Sequence, residues 1–164
     1  MSEVLFYIFG GLTVATAFGV VFFKNPITSA FSLIVSFFGV AALYAMLSAH
    51  FLAVIQILVY AGAIMVLFIF VIMLLNLQPD ELHEKTFPKV YWLIAVGVLV
   101  AFLIAFVQLF MSLHLVFPAI SETFGNVKEV GKLLFTEYLV PFEYSSVLLL
   151  VAVIAGVVLA KREL

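Results

Sequence analysis

Residues 56–68 read QILVYAGAIMVLF, an apolar run with Tyr60 and the small cluster Ala61-Gly62-Ala63 at its centre. Glycine weakens a helix relative to alanine or leucine, so the run is least helix-favouring at its middle.

The run belongs to a longer apolar block, 51–77, and four similar blocks lie at about 4–23, 27–49, 90–111 and 142–160. Each approaches the ~20 residues that a helix needs to cross ~30 Å of hydrocarbon. Of the 164 residues, 67% are hydrophobic and 10% charged, whereas a soluble domain is about half apolar and about a quarter charged. A closed β-barrel also satisfies its backbone in lipid, but it needs alternating apolar and polar residues, and these blocks are apolar all round. The chain therefore reads as an all-α, polytopic membrane protein with five transmembrane helices, a single membrane domain over 1–164. The start, Met-Ser-Glu, lacks the basic opening and short apolar stretch of a cleaved signal peptide, so the first helix is expected to be retained. With no cysteine, disulfides, thiolate metal sites and cysteine nucleophiles are excluded, and a net charge of −2 gives no reason to expect nucleic acid or anionic partners.

Positive charge orients the spans. Lys24 falls in the first loop, Lys85 and Lys89 in the third, and Lys161 and Arg162 at the C-terminus, while Lys128 and Lys132 fall on the opposite side. Cations favour the cytoplasmic face, which predicts the N-terminus outside and the C-terminus inside. The third loop, LQPDELHEKTFPK at 77–89, is bracketed by Pro79 and Pro88 as helix stops. The fourth, about 112–140, is long for a connection in a bundle. Within it Val127, Val130, Leu134, Phe135 and Tyr138 share one face at helical spacing, predicting an interfacial segment at about 124–139. Packing against a partner subunit accounts for that stripe equally well.

Helices in lipid approach closely where small residues let their backbones meet. Four spans carry such residues at every fourth position: Gly11, Ala15 and Gly19; Ala41, Ala45 and Ala49; Gly97, Ala101 and Ala105; Ala152, Gly156 and Ala160. These predict packing seams. The third span differs, because its small residues are clustered. At 1.5 Å per residue the block 51–77 would be about 40 Å long, more than the hydrocarbon needs, so it must tilt, protrude or hold an irregularity. A cluster without bulky side chains can accommodate one extra residue as a π-bulge, a feature frequent at functional positions. The alternative is a tight crossing point, with the Tyr60 hydroxyl satisfied against a neighbour.

Ionisable side chains inside a membrane are costly and mark function by default. No Asp, Glu, Lys, Arg or His lies in the middle of any of the five blocks; Glu3, Lys24, His50, Lys89 and His114 sit at or near their ends. Glu143 follows Pro141 as an ordinary helix-start signal. His50 and His114 have no partner at metal-ligand spacing. Gln56 and Gln108 are the amides deep in spans, and Gln56, one turn before Tyr60, serves either as interhelical glue or as part of a polar path. With no nucleophile and base, no phosphate-binding glycine loop and no paired carboxylates, no catalytic, cofactor-binding or metal-ligating set is expected, and the chain should be one component of a larger assembly.

Three stretches carry a resemblance: VYAGAIMVLFIFVIMLLN at 59–76, Asn25-Pro26 opening the second span, and GKLLFTEYLVPFEYSSVLLL at 131–150. Together they resemble the subunit J family of bacterial NADH-quinone oxidoreductase, respiratory complex I, whose mitochondrial counterpart is subunit 6. One departure is that some bacterial members have a glutamate where this chain has Gln56. The resemblance implies a non-catalytic membrane-arm subunit beside the quinone-binding subunit, small helical subunits and antiporter-like subunits, in the bacterial cytoplasmic membrane. NADH, FMN, iron-sulfur clusters and quinone are then expected elsewhere in the complex. It further implies that the third helix converts between π-bulged and regular forms around Tyr60, Ala61, Gly62 and Ala63. That conversion would turn Met65 and Phe68 into or out of a water path between the quinone cavity and the pumping subunits, with Gln56 as a candidate polar member. Two other readings stay open: a related subunit of a multi-subunit cation/proton antiporter or membrane-bound hydrogenase, and a passive scaffold.

Overall fold

A computed structural model describes residues 2–75, 89–112 and 125–161. Most of the polar third loop and His114 lie outside the described residues, as does the last part of the expected third span. Helices α1 (Ser2–Phe22) and α2 (Pro26–Met46) form a hairpin. The third span is a continuous rod made of α3 (His50–Ile55), a π-helical segment (Gln56–Ile64) and α4 (Met65–Leu75). Then come α5 (Lys89–Ser112), the short α6 (Val127–Thr136) and α7 (Leu139–Ala160). Five of these helical stretches are long and apolar enough to span a membrane: Glu3–Phe22, Pro26–Met46, His50–Leu75, Val90–Ser112 and Leu139–Ala160. Helix α7 begins at Leu139, so Pro141 lies within its first turn, where amides have no helical partner to lose, and Glu143 lies beyond that turn.

The α1–α2 turn is set by Asn25 and Pro26. The Asn25 Oδ1 accepts from the amides of Ile27 at 2.9 Å and Thr28 at 3.4 Å, while Pro26 takes the first helical position. An asparagine cap followed by proline satisfies orphan amides and preselects the helical φ. Helix α2 is the hub, packing against α1, α3, the π segment and α4.

What joins α1 to α2 is a row of hydroxyls more than a ridge of small residues. Ser29, Ser32 and Ser36 stand on one face of α2, and their Oγ atoms donate to the α1 carbonyls of Val20 at 2.7 Å, Thr16 at 2.8 Å and Thr13 at 3.3 Å. Thr13 and Thr16 in turn donate to carbonyls of their own helix, Phe9 and Leu12, both at 2.8 Å. Glycine contributes at two points. A Cβ on Gly39 would collide with the Thr13 Oγ1, and one on Gly19 would stand 2.6 Å from the Ser32 Oγ. Of the expected α1 seam, Gly11 and Ala15 are exposed and Gly19 alone meets α2 closely; on α2, Ala41 is buried and Ala45 exposed. The reason is geometric: the hydroxyls select the contact face, and the every-fourth-position ridge of α1 lies beside it. On α5 and α7, a Cβ at Gly97 or Gly156 would meet nothing within 4 Å, and neither helix has a buried residue among those described.

Between α2 and α4 sits the apolar core, Ala30, Met65 and Ile72, flanked by Leu33, Ile34, Phe37 and Ile69. Replacing Gly39 by valine should prevent the α1–α2 crossing, because the added methyls must displace Thr13. The expected outcome is loss of the folded chain from detergent-extracted membranes, checked by immunoblot against Ser32→Ala, which removes one interhelical bond worth about 0.6 kcal/mol and should leave the chain in place.

Candidate functional site

The π segment is defined by where its amides donate. The amide of Met65 donates to the Tyr60 carbonyl, five residues back, as well as to that of Gly62, whereas the amide of Gln56 at the other end donates to the Leu52 and Ala53 carbonyls, four and three residues back. The wider turn holds one more residue than an α turn. Burial shows the same thing: the residues of the rod that face inward are Ala53, Gln56, Ala61, Met65 and Ile72. The interval of five between Gln56 and Ala61 replaces the three or four of a regular helix, so the extra residue is held in this turn.

Small side chains make the wide turn possible. A Cβ on Gly62 would stand 3.2 Å from the carbonyl oxygen of Ile57, five residues before it. That oxygen belongs to the winding itself and cannot move aside as a flexible side chain would. Ala61 is buried, and Ala63, its near neighbour, is exposed.

Tyr60 is half-exposed and its ring meets Phe37 of α2 edge to face, with centroids 5.6 Å apart and planes at 64°. This is a favoured aromatic geometry, and it ties the middle of the wide turn to the hub helix. Gln56 is 9% exposed and shares with Ser36 the distinction of a buried polar side chain among the described residues. Met65, 3% exposed, anchors the start of α4 in the core that also holds Ala30 and Ile72. Phe68, 47% exposed, lies on the border of an apolar groove of about 240 Å³ lined also by Val20, Pro26, Ser29, Leu33 and Ile72. The structure thus brings Gln56, Ala61 and Met65 onto one inward face, sets Tyr60 against Phe37, and leaves Ala63 and Phe68 outside that face. Gln108 is exposed on α5.

The family is fixed by the extent of the sequence match. The model of the family described as NADH-ubiquinone/plastoquinone oxidoreductase chain 6 matches residues 16–159. The chain belongs to that family. It is 36% identical to the NAD(P)H-quinone oxidoreductase subunit 6, chloroplastic, of Physcomitrium patens, an alignment covering 99% of this chain and 86% of the relative. It is 38% identical to the NAD(P)H-quinone oxidoreductase chain 6 of Synechocystis sp., covering 100% and 83%. It is 32% identical to the NADH-quinone oxidoreductase subunit J of Rickettsia bellii, covering 98% and 80%. The chain 6 match takes in the last part of α1 and the other four membrane-length helices, and the protein is a multi-pass membrane protein.

The serine row on α2 went unread in the sequence, although its signal was present: Ser29, Ser32 and Ser36 recur at i, i+3 and i+7 on an otherwise apolar helix. Phe37 also carried no sequence signal, since one phenylalanine among 19 is marked as a partner of Tyr60 by position alone. Truncating Met65 to alanine should cost about 2–5 kcal/mol, because a fully packed side chain is lost and a cavity remains. Met65→Leu should cost under about 1.5 kcal/mol. Thermal midpoints of the two variants in detergent check the difference.

Proposed function

We propose that the chain is a non-catalytic membrane-arm subunit of a proton-pumping NADH-quinone oxidoreductase, and that its π segment gates the water and proton path between the quinone site and the pumping subunits. The observation that carries this reading is the i to i−5 bond from Met65 to Tyr60, which marks a helix holding one residue more than its regular form. A two-state element of that kind is what coupling between distant sites requires. Family membership supports the assembly: the relatives' names are those of quinone oxidoreductase subunits.

Helix α4 is suited to exchange registers. Its sequence, MVLFIFVIMLL, is apolar at every position. Returning the wide turn to regular α winding rotates α4 by about 100° relative to α3, bringing Ile64, Phe68 and Val71 to the places where Met65, Ile69 and Ile72 now face α2. One apolar set replaces another, so the exchange moves no charge and leaves no polar group in lipid. Phe68 changes from the rim of its groove to the inward face, the bulky displacement that opens or closes a polar path. Gln56, the first residue of the π segment and buried, supplies an amide to that path.

In this reading NADH, FMN, iron-sulfur clusters and quinone are bound by other subunits, and this chain packs beside the quinone-binding subunit, small helical subunits and antiporter-like subunits. The membrane is the bacterial cytoplasmic membrane, with the N-terminus outside and the C-terminus inside, as the placement of Lys24 and Lys161 favours. A cysteine placed at Lys24 should accordingly react with a membrane-impermeant maleimide in inside-out vesicles and resist it in intact spheroplasts; the opposite pattern inverts the topology.

Gly62→Val is the direct test of the gate. Its branched side chain presses on the Ile57 carbonyl and disfavours the wide turn, so the assembled complex should retain quinone reductase activity while protons pumped per NADH oxidised fall several-fold. Normal pumping at full reductase rate in an assembled Gly62→Val complex removes the gating role. Loss of assembly alone, with normal coupling in whatever complex forms, points to the passive scaffold.

A further inference from the structure

The foot of the third span is capped from elsewhere in the chain. Helix α3 begins at His50 after Ala49, which has no side chain able to cap it, so the first amides need partners from outside the helix. One is supplied by Gly125, just ahead of α6: its carbonyl oxygen accepts from the Phe51 amide at 3.4 Å. Gly125 has φ +76°, in the left-handed region that favours glycine. A Cβ there would collide with the Ser48 carbonyl oxygen and stand 2.9 Å from the Ala49 Cα. Ser48 itself has φ +62°, so two left-handed backbones meet at this point. The α2–α3 connection is short, with the Ala49 amide bonded back to the Tyr44 carbonyl at 2.9 Å. Beyond Gly125, α6 packs on α7, and Phe135 meets Phe142 edge to face with centroids 5.0 Å apart.

We propose that Gly125 is a positioning residue, a helix cap delivered from a distant part of the same chain that pins the foot of the third span, so that a change of winding in the π segment is taken up by α4 and not by α3. A rod free at its foot can expel the extra residue by sliding α3 one position and winding as α-helix throughout. A rod pinned at its foot cannot, and holds the extra residue in the turn where Gly62 and its small neighbours admit it unless α4 itself turns. The proposal concerns the winding and stands apart from the gating role, so the Gly62→Val experiment and the following ones fail independently.

The test uses the assembled complex. With Gly125→Ala, the Cβ forces the clasp open, and amide hydrogen exchange across residues 50–55 should rise about five- to tenfold, the loss of one protecting hydrogen bond, with exchange across residues 56–64 altered as well. Unchanged exchange in both segments of an assembled Gly125→Ala complex overturns the proposal. Should that variant fail to assemble, a tether that leaves Gly125 intact decides: Ala49→Cys with Asn126→Cys, bridged by a short bis-maleimide, in a chain that has no native cysteine. A fixed foot predicts that bridging leaves coupled turnover at the level of the unbridged pair. If bridging abolishes coupled turnover, the foot moves during the cycle and the clasp is not an anchor.

Discussion

Inside hydrocarbon every backbone amide and carbonyl must find its partner within the protein, and this requirement shapes each unusual feature of the chain. An extra residue in a soluble helix can loop out into water. Here it is absorbed by lengthening the hydrogen-bonded turn, so that Met65 reaches Tyr60 instead of Ala61 and the polar groups stay paired. The serine hydroxyls of α2 follow the same rule, finding acceptors in α1 carbonyls. At the foot of α3 the Gly125 carbonyl does for one orphan amide what a side-chain cap would do at the surface of a soluble protein.

Packing then decides which of the permitted windings is held. The wide turn is bounded by well-seated contacts: Phe37 against Tyr60 on the hub helix and Met65 in the core with Ala30 and Ile72. Between them lie Ala61, Gly62 and Ala63, which contribute little side-chain contact to lose. Below them α4 is apolar on every face, so its preference for one orientation rests on shape alone. A helix with a polar stripe would be locked by the cost of turning that stripe into lipid; this one is not.

The architecture was legible in the sequence because a bilayer imposes a length on apolar runs, and five such runs can scarcely be arranged otherwise. The Ala61-Gly62-Ala63 cluster pointed to the position of the irregularity, since small residues remove the steric objection to a wide turn. Its extent, Gln56–Ile64, could not be read, because the hydrogen-bond register is a property of the backbone that the apolar pattern does not encode. The small-residue ridges were a weaker guide. Gly19 and Ala41 lie in contacts within the chain, but Gly97 and Gly156 face away from every described residue. A pattern of small side chains records that a surface packs closely without saying against what. The clasp at Gly125 was invisible, for a lone glycine in a polar stretch looks like any other turn until the chain folds back on it.

The unequal burial of the five spans bears on how the protein is made. Helices α1 and α2 lock together through hydroxyls and a capped turn, so this hairpin can form soon after it leaves the ribosome, while the foot of the third rod waits for Gly125. Helices α5 and α7, with no buried residue among those described, lose little by waiting in lipid as separate rods. An unassembled copy is thus part finished and part in reserve, and the order in which neighbouring polypeptides arrive can be set by α5 and α7 without disturbing the α1–α2 hairpin.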